Sequence, residues 1–246
     1  MIQIKDLSVY FQDLCLLKSI NLTIEKGQFY CLVGESGGGK SLLSKAILGT
    51  LPETMRTHGF IQRESEKLDF ILQNPRGSLQ SQVTIKRQVY HLLNSYGYPK
   101  KDWEGLIYKM LASVQLDHHK NLLDKTPLQL SGGMCQKLAL ACALFSKPDF
   151  LVADEVTSAL DQESRKEILD LLYKFYQDNQ VTLLCITHDL DVAEKYASHL
   201  GIIHQGALIE SGEKRKILAH PQKTYTKELI QSFEEHKSFI KSGKPI

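Results

Sequence analysis

The sequence predicts an α/β fold built on a mainly parallel sheet with helices on both faces. Three observations predict it. Phe29-Tyr30-Cys31-Leu32-Val33, Phe150-Leu151-Val152-Ala153 and Val181 to Ile186 are nearly unbroken apolar runs. Such runs suit central strands covered on both sides. A helical pattern separates the last two, and a glycine-rich loop joins the first to a second helical pattern.

The elements follow in order. Residues 2–10 and 20–33 read as strands, with Glu25-Lys26-Gly27-Gln28 as the turn before Phe29. A helix runs from Ser41 to about Leu48 and stops at Gly49. Residues 59–72 alternate and read as short edge strands. Residues 84–145 are mainly helical in pattern, so a helical subdomain is expected at about 75–145. Residues 162–177 place Ile168, Leu169, Leu171, Leu172, Phe175 and Tyr176 on one helical face. The segment after Gly212, about 212–246, reads as a helical, peripheral tail. No repeat or low-complexity linker divides the chain, so residues 1–246 are expected to form one domain.

Composition excludes several classes. A net charge of +2, with 42% hydrophobic and 24% charged residues, is ordinary for a globular protein and makes no case for nucleic-acid binding. From Ser211 onward eight Lys/Arg stand against four Glu, a mild excess that suits a solvated surface. The N-terminus lacks the apolar core of a signal peptide. No apolar run approaches the ~20 residues needed to cross a bilayer. Five cysteines without a C-x-x-C pair fit a reducing compartment, and they read as small buried hydrophobes. His118-His119 reads as a loop pair with no case for a metal.

Gly34-Glu35-Ser36-Gly37-Gly38-Gly39-Lys40-Ser41 matches G-x-x-x-x-G-K-[ST] between a strand and a helix. Glycines let backbone N–H groups converge on phosphates, and the helix N-terminus adds partial positive charge. Lys40 should reach the β- and γ-phosphates, and the Ser41 hydroxyl should ligate Mg²⁺.

Asp154 and Glu155 end a predicted strand, where carboxylates can face the same crevice as a phosphate loop. Asp154 suits a Mg²⁺ shell, and Glu155 suits a general base for water. The pair also reads as a helix cap. Gln73, before Asn74-Pro75, reads as a turn residue or as an amide touching Mg²⁺ and water. His188, at another strand end, reads as structural or as a γ-phosphate ligand. Asp161 and Ser131 each read as a helix N-cap when taken alone.

In this order the motifs resemble the ATP-binding-cassette (ABC) ATPases over roughly residues 2–230. Leu130-Ser131-Gly132-Gly133-Met134 is the most specific of them. The resemblance implies a phosphate-loop nucleoside-triphosphatase core with a mainly parallel sheet, an N-terminal antiparallel β subdomain and an inserted helical subdomain. It implies a head-to-tail dimer with two ATPs at the interface.

Gly34, Glu35, Ser36, Gly37, Gly38, Gly39, Lys40, Ser41 and Leu42 then form the nucleotide loop. Gln73 and Asp154 join Ser41 at Mg²⁺. Glu155, His188 and Gln73 serve hydrolysis. Ser131, Gly132, Gly133 and Met134 contact the partner's ATP, and Asp161 lies in the loop crossing the dimer axis. Phe11 matches the aromatic that stacks on adenine, with Tyr10 as the alternative.

Gly34-Glu35-Ser36-Gly37, the LSGGM turn and Val152-Ala153-Asp154-Glu155 further resemble the D-type subunits of peptide/nickel importers. His220 to Thr226 partly matches that family's tail, with Lys223 and Thr224 in place of His and Pro. The lack of Cys after Cys185 favours the shorter nickel or metal-chelate type. Val156 stands where Pro is usual, and Cys135 and Lys137 stand where Arg is common. None of these is a phosphate or Mg²⁺ ligand, so activity is expected.

The expected partners are a second ATPase subunit, identical or different, two transmembrane permeases and an extracytoplasmic substrate-binding protein. The expected location is the cytoplasmic face of the cell membrane. The competing class is a soluble cassette ATPase acting on nucleic acid or ribosomes, which usually carries insertions or tandem cassettes not seen here.

Overall fold

The computed structural model describes residues 1–64, 67–71, 79–119, 121–158 and 160–242. The chain divides into two units. One comprises Met1–Ser65 and Thr182–Ile246, the other Glu66–Val181.

The first unit holds two sheets. Strands β1 (Ile2–Phe11), β2 (Leu14–Ile24) and β4 (Met55–Arg63) form an antiparallel sheet in the order β2-β1-β4. Strand β2 begins earlier than its sequence pattern suggests. The β1–β2 register shifts at several points between Ile4 and Tyr10, and Asp6 and Ser19 have positive φ. Such bulges break the period-2 alternation by which a strand is recognised.

The second sheet centres on β3 (Phe29–Val33), with all five residues buried. It pairs in parallel with β7 (Thr182–Thr187) and β8 (His199–His204), one on each side. Strand β9 (Ala207–Glu213) adds antiparallel to β8, so the sheet is mixed. The β8–β9 hairpin is absent from the sequence expectations. Its two turn residues, Gln205 and Gly206, both have positive φ. That is the twist two-residue hairpins require, and Gln-Gly signals it more weakly than Asn-Gly.

Helix α1 (Lys40–Leu48) follows β3 and ends on Gly49, whose left-handed φ of 74° lets its N–H reach the Ala46 carbonyl. Three further helices in this unit lie at Leu190–Tyr196, Lys214–Ala219 and Thr224–Ser242.

The second unit has β5 (Leu68–Ile71) parallel to β6 (Phe150–Asp154). Between them, helices α2 (Ile85–Ser95), α3 (Trp103–Ser113) and α4 (Gly132–Phe145) are joined by short 3₁₀ turns. No strand occurs among the described residues of 79–145. Helix α5 (Gln162–Asn179) follows β6. It buries Ile168, Leu169 and Leu172, while Leu171, Phe175 and Tyr176 are only half-buried. Cys31, Cys135 and Cys185 are buried free thiols, and Cys15 and Cys142 are half-buried. Among the described residues no helix is long and apolar enough to cross a membrane.

One close approach sets the spacing of β3 and β8. A Cβ on Gly201 would lie 2.2 Å from Tyr30 Oη. That hydroxyl is already held by Ser211 at 2.7 Å, and Tyr30 is buried. Gly201→Ala therefore overpacks the sheet. Urea unfolding should show a loss of about 1–3 kcal/mol.

Candidate functional site: a phosphate loop and an acidic strand end

In the first unit the site grows from the C-terminal ends of parallel strands, the edge where open α/β sheets bind ligands. Val33 and Thr187 are register partners. The residues that come next, Gly34 and His188, therefore leave the sheet from the same edge. His188 is exposed there, directly after the buried Thr187. Asp189 next to it caps the following helix by accepting the Asp191 N–H at 2.8 Å.

The phosphate loop is tightly held below and open at its tip. Gly34 is buried, and a Cβ there would sit 2.1 Å from the Ile203 carbonyl oxygen. Gly39 has φ 104°, and a Cβ there would meet Leu17 at 2.8 Å. These two positions tolerate only glycine. Glu35, Ser36 and Gly37 are exposed, while Gly38 is buried and donates to the Glu35 carbonyl at 3.1 Å.

Lys40 is 3% exposed, and its Nζ donates to the Gly34 and Glu35 carbonyls at 2.8 Å each. The ammonium thus sits inside the loop's curl. Ser41 and Leu42, in the first turn of α1, are half-buried. The Ser41 carbonyl accepts the Ser44 hydroxyl at 2.9 Å.

Support for this loop comes from the β8–β9 turn, which no sequence motif marks. Gly206 donates its N–H to the Gly38 carbonyl at 3.0 Å and accepts Lys18 N–H at 2.8 Å. A Cβ on Gly206 would meet the Leu16 carbonyl oxygen at 2.2 Å. The turn is a backbone bridge from β2 to the phosphate loop. Phe11 lies at the end of β1, opposite Leu14 and Met55, and is 41% exposed. Tyr10 is half-buried.

In the second unit Asp154 is the last residue of β6 and is buried. Glu155 comes next with φ 46°, a left-handed conformation uncommon for a residue with a side chain. The Glu155 carbonyl accepts both the N–H and the hydroxyl of Ser158 at 3.1 Å, which fixes the turn. Strain of this kind concentrates at functional sites. Ile71 pairs with Ala153, so the chain toward Gln73 and the chain toward Asp154 leave β5 and β6 at the same end. Gln73 itself lies outside the described residues.

Ser131 is the N-cap of α4, its hydroxyl accepting the Met134 N–H at 3.2 Å. Ser131 and Gly132 are exposed, Gly133 and Met134 half-buried. Asp161 caps α5 in the same way, accepting the Ser164 N–H at 3.0 Å. That bond holds the Asp161 carboxyl below its usual range. The two caps are neighbours, since a Cβ on Gly133 would lie 3.2 Å from Ser164 Oγ. Lys137 Nζ pairs with Glu167 at 2.7 Å and ties the two helices together a turn further on. In the sequence Lys137 stands out only as a departure from Arg.

Comparison with known proteins identifies the family. Residues 17–158 match the ABC transporter family. The oligopeptide transport ATP-binding protein OppD of Lactococcus lactis is 31% identical, over 87% of this chain and 68% of its own length. The methionine import ATP-binding protein MetN 1 of Bacillus cereus is 34% identical, over 94% and 70%. Among solved structures, cbiO1 of Clostridium perfringens, part of the ABC transporter complex cbiONQ, superposes with TM-score 0.76 at 24% identity. The match covers 89% of this chain and 90% of that one. The ATP-binding cassette MJ0796, in a dimeric post-hydrolysis state with ADP and Pi, gives 0.74 at 25% identity, over 87% and 99%. The chain therefore belongs to the family of ABC transporter ATPases.

Proposed function

We propose that the chain powers an importer of the peptide/nickel class, taking up peptides, nickel or metal chelates. The observation that carries the catalytic part is the shared strand edge of the first unit, where the curl around Lys40 and the exposed His188 leave from paired residues. The class rests on the motifs of the loop and glycine turn, and relatives named for oligopeptide and peptide transport agree with it.

In this reading the N–H groups of Gly34 to Ser41 and the Lys40 ammonium hold the ATP phosphates, and Phe11 stacks on adenine. Ser41, Gln73 and Asp154 would hold Mg²⁺. Hydroxyl, amide and carboxylate oxygens suit that hard ion, with phosphate oxygens and water completing its shell. No cluster of three or more His, Cys, Asp or Glu that could hold a metal occurs among the described residues. When bound, Mg²⁺ would neutralise charge on the transferring phosphate. Glu155 takes a proton from the attacking water, and His188 and Gln73 position that water.

Ser131 to Met134, with Asp161, face the ATP of a second ATPase subunit, identical or different. Closure then needs nucleotide between the two halves, because nucleotide supplies the contacts that favour the closed state. The helical part of the second unit carries a groove of about 510 Å³ lined by Leu79, Val83, Arg87, His91 and Cys142. That groove would receive a permease at the cytoplasmic face of the membrane. An extracytoplasmic binding protein completes the system, and nucleic acid has no part in it.

Glu155→Gln should lower ATP turnover by about a hundredfold or more and leave ATP binding intact. Undiminished steady-state hydrolysis would remove Glu155 from this role. Ser131→Arg should bind ATP normally as a single chain but fail to pair. Sedimentation with ATP, in the Glu155→Gln background and with the partner subunit present, checks this. Pairing by the arginine variant would refute the shared site.

A further inference from the structure

Tyr225, from the C-terminal helix at Thr224–Ser242, packs into the first unit rather than standing off its surface. Its ring stacks on His204 with centroids 3.9 Å apart and planes at 26°. His204 is the last residue of β8, directly before the Gln205-Gly206 turn that donates to the Gly38 carbonyl. On its other side, His204 Nδ1 lies 3.9 Å from the Glu35 carboxylate in the phosphate loop. A path of three contacts thus runs from the tail to the loop.

The tail is anchored on both sides of Tyr225. Upstream, the Glu210 carboxylate accepts the backbone N–H groups of Gln222 and Lys223 at 3.1–3.3 Å. Downstream, Lys237 pairs with Glu194. Thr226 is fully buried. Tyr225 Oη and Thr226 Oγ1 are both buried without a hydrogen-bond partner among the described residues. The ring stack on His204 holds Tyr225 in place, with its hydroxyl close to Glu35. Burial, and then the charge of the nearby Glu35, push the Tyr225 hydroxyl above its ordinary range, so the ring stays neutral.

We infer that Tyr225 is a positioning residue for nucleotide binding, acting through its ring on His204, the Gln205-Gly206 turn and Glu35 to hold the phosphate loop in shape. The inference rests on the phosphate-loop reading of Gly34 to Ser41. The loop tip is exposed, so loss of the stack frees the His204 ring and loosens the turn beneath Gly38.

The test is ATP titration by calorimetry on the full chain, with melting temperatures measured alongside. Tyr225→Ala should raise the Kd for ATP about tenfold, the scale set by one lost aromatic pair. Tyr225→Phe, which keeps the ring, should bind as the parent does. In the assembled complex, KM for ATP should rise with kcat nearly unchanged. His204→Ala breaks the same stack from the sheet side and should reproduce the loss if Tyr225→Ala does not fold.

A merely structural tail would lower the melting temperature and leave the Kd at low temperature unchanged, and that result overturns the inference. Weakening by Tyr225→Phe equal to that of Tyr225→Ala overturns it as well. Lys40→Ala separates the two levels. If Lys40→Ala binds ATP normally, the phosphate-loop reading falls. If Lys40→Ala fails to bind while Tyr225→Ala is unaffected, only the role of Tyr225 falls.

Discussion

Glycine packs on carbonyl beneath the phosphate loop, and that constraint governs the first unit. Gly34 and Gly206 leave no room for a side chain against the Ile203 and Leu16 carbonyls, and Gly39 closes on the Leu17 side chain. At the two carbonyls no change of rotamer makes room. Its shape is set by where β2 and the β8–β9 turn place their carbonyls. The order of strands around β3 therefore shapes the loop proposed to hold nucleotide. β7 brings His188 to the working edge, and β8 brings the turn that carries Gly38.

Much of this was legible because the informative residues are local. The run Phe29 to Val33 is buried throughout. G-x-x-x-x-G-K-S describes a loop whose glycines and lysine lie within eight consecutive residues, and the Lys40 ammonium is held by two carbonyls of that same loop. Ser131 and Asp161 read as caps when taken alone, and both are caps. What the sequence did not reveal depends on distant partners. The bulged β1–β2 pairing hides the start of β2, since alternation is lost where the register slips. The hairpin at Gln205-Gly206 carries a weak local signal, and its importance lies in contacts with Lys18 and Gly38. Tyr225 reads as one letter of a tail motif, and its stack on His204 appears only in three dimensions.

The second unit meets a different constraint. Asp154 ends a strand with its side chain buried, and the chain must turn at once to bring the Glu155 side chain partly out. The left-handed backbone of Glu155 makes that turn, and Ser158 holds it with two hydrogen bonds to one carbonyl. Backbone strain at a residue proposed as the base is what pre-organisation requires. A carboxylate free to relax could not hold water in one place while chemistry proceeds.

The glycine turn and Asp161 should then move as one body. Gly133 and Ser164 leave little space between the two helix starts, and Lys137 and Glu167 join the helices beyond them. Lys137 is largely buried, so its charge depends on Glu167 for compensation. In the proposed role, anything that draws Ser131 toward a partner's nucleotide must carry the Asp161 cap with it. A contact made by the glycine turn of one helix alone would be soft, because a helix N-terminus can pivot. Made by two capped helices pinned at the next turn, it resists pivoting. The stiffness that the proposed contact with a partner's nucleotide would need is thus built into the paired helix starts.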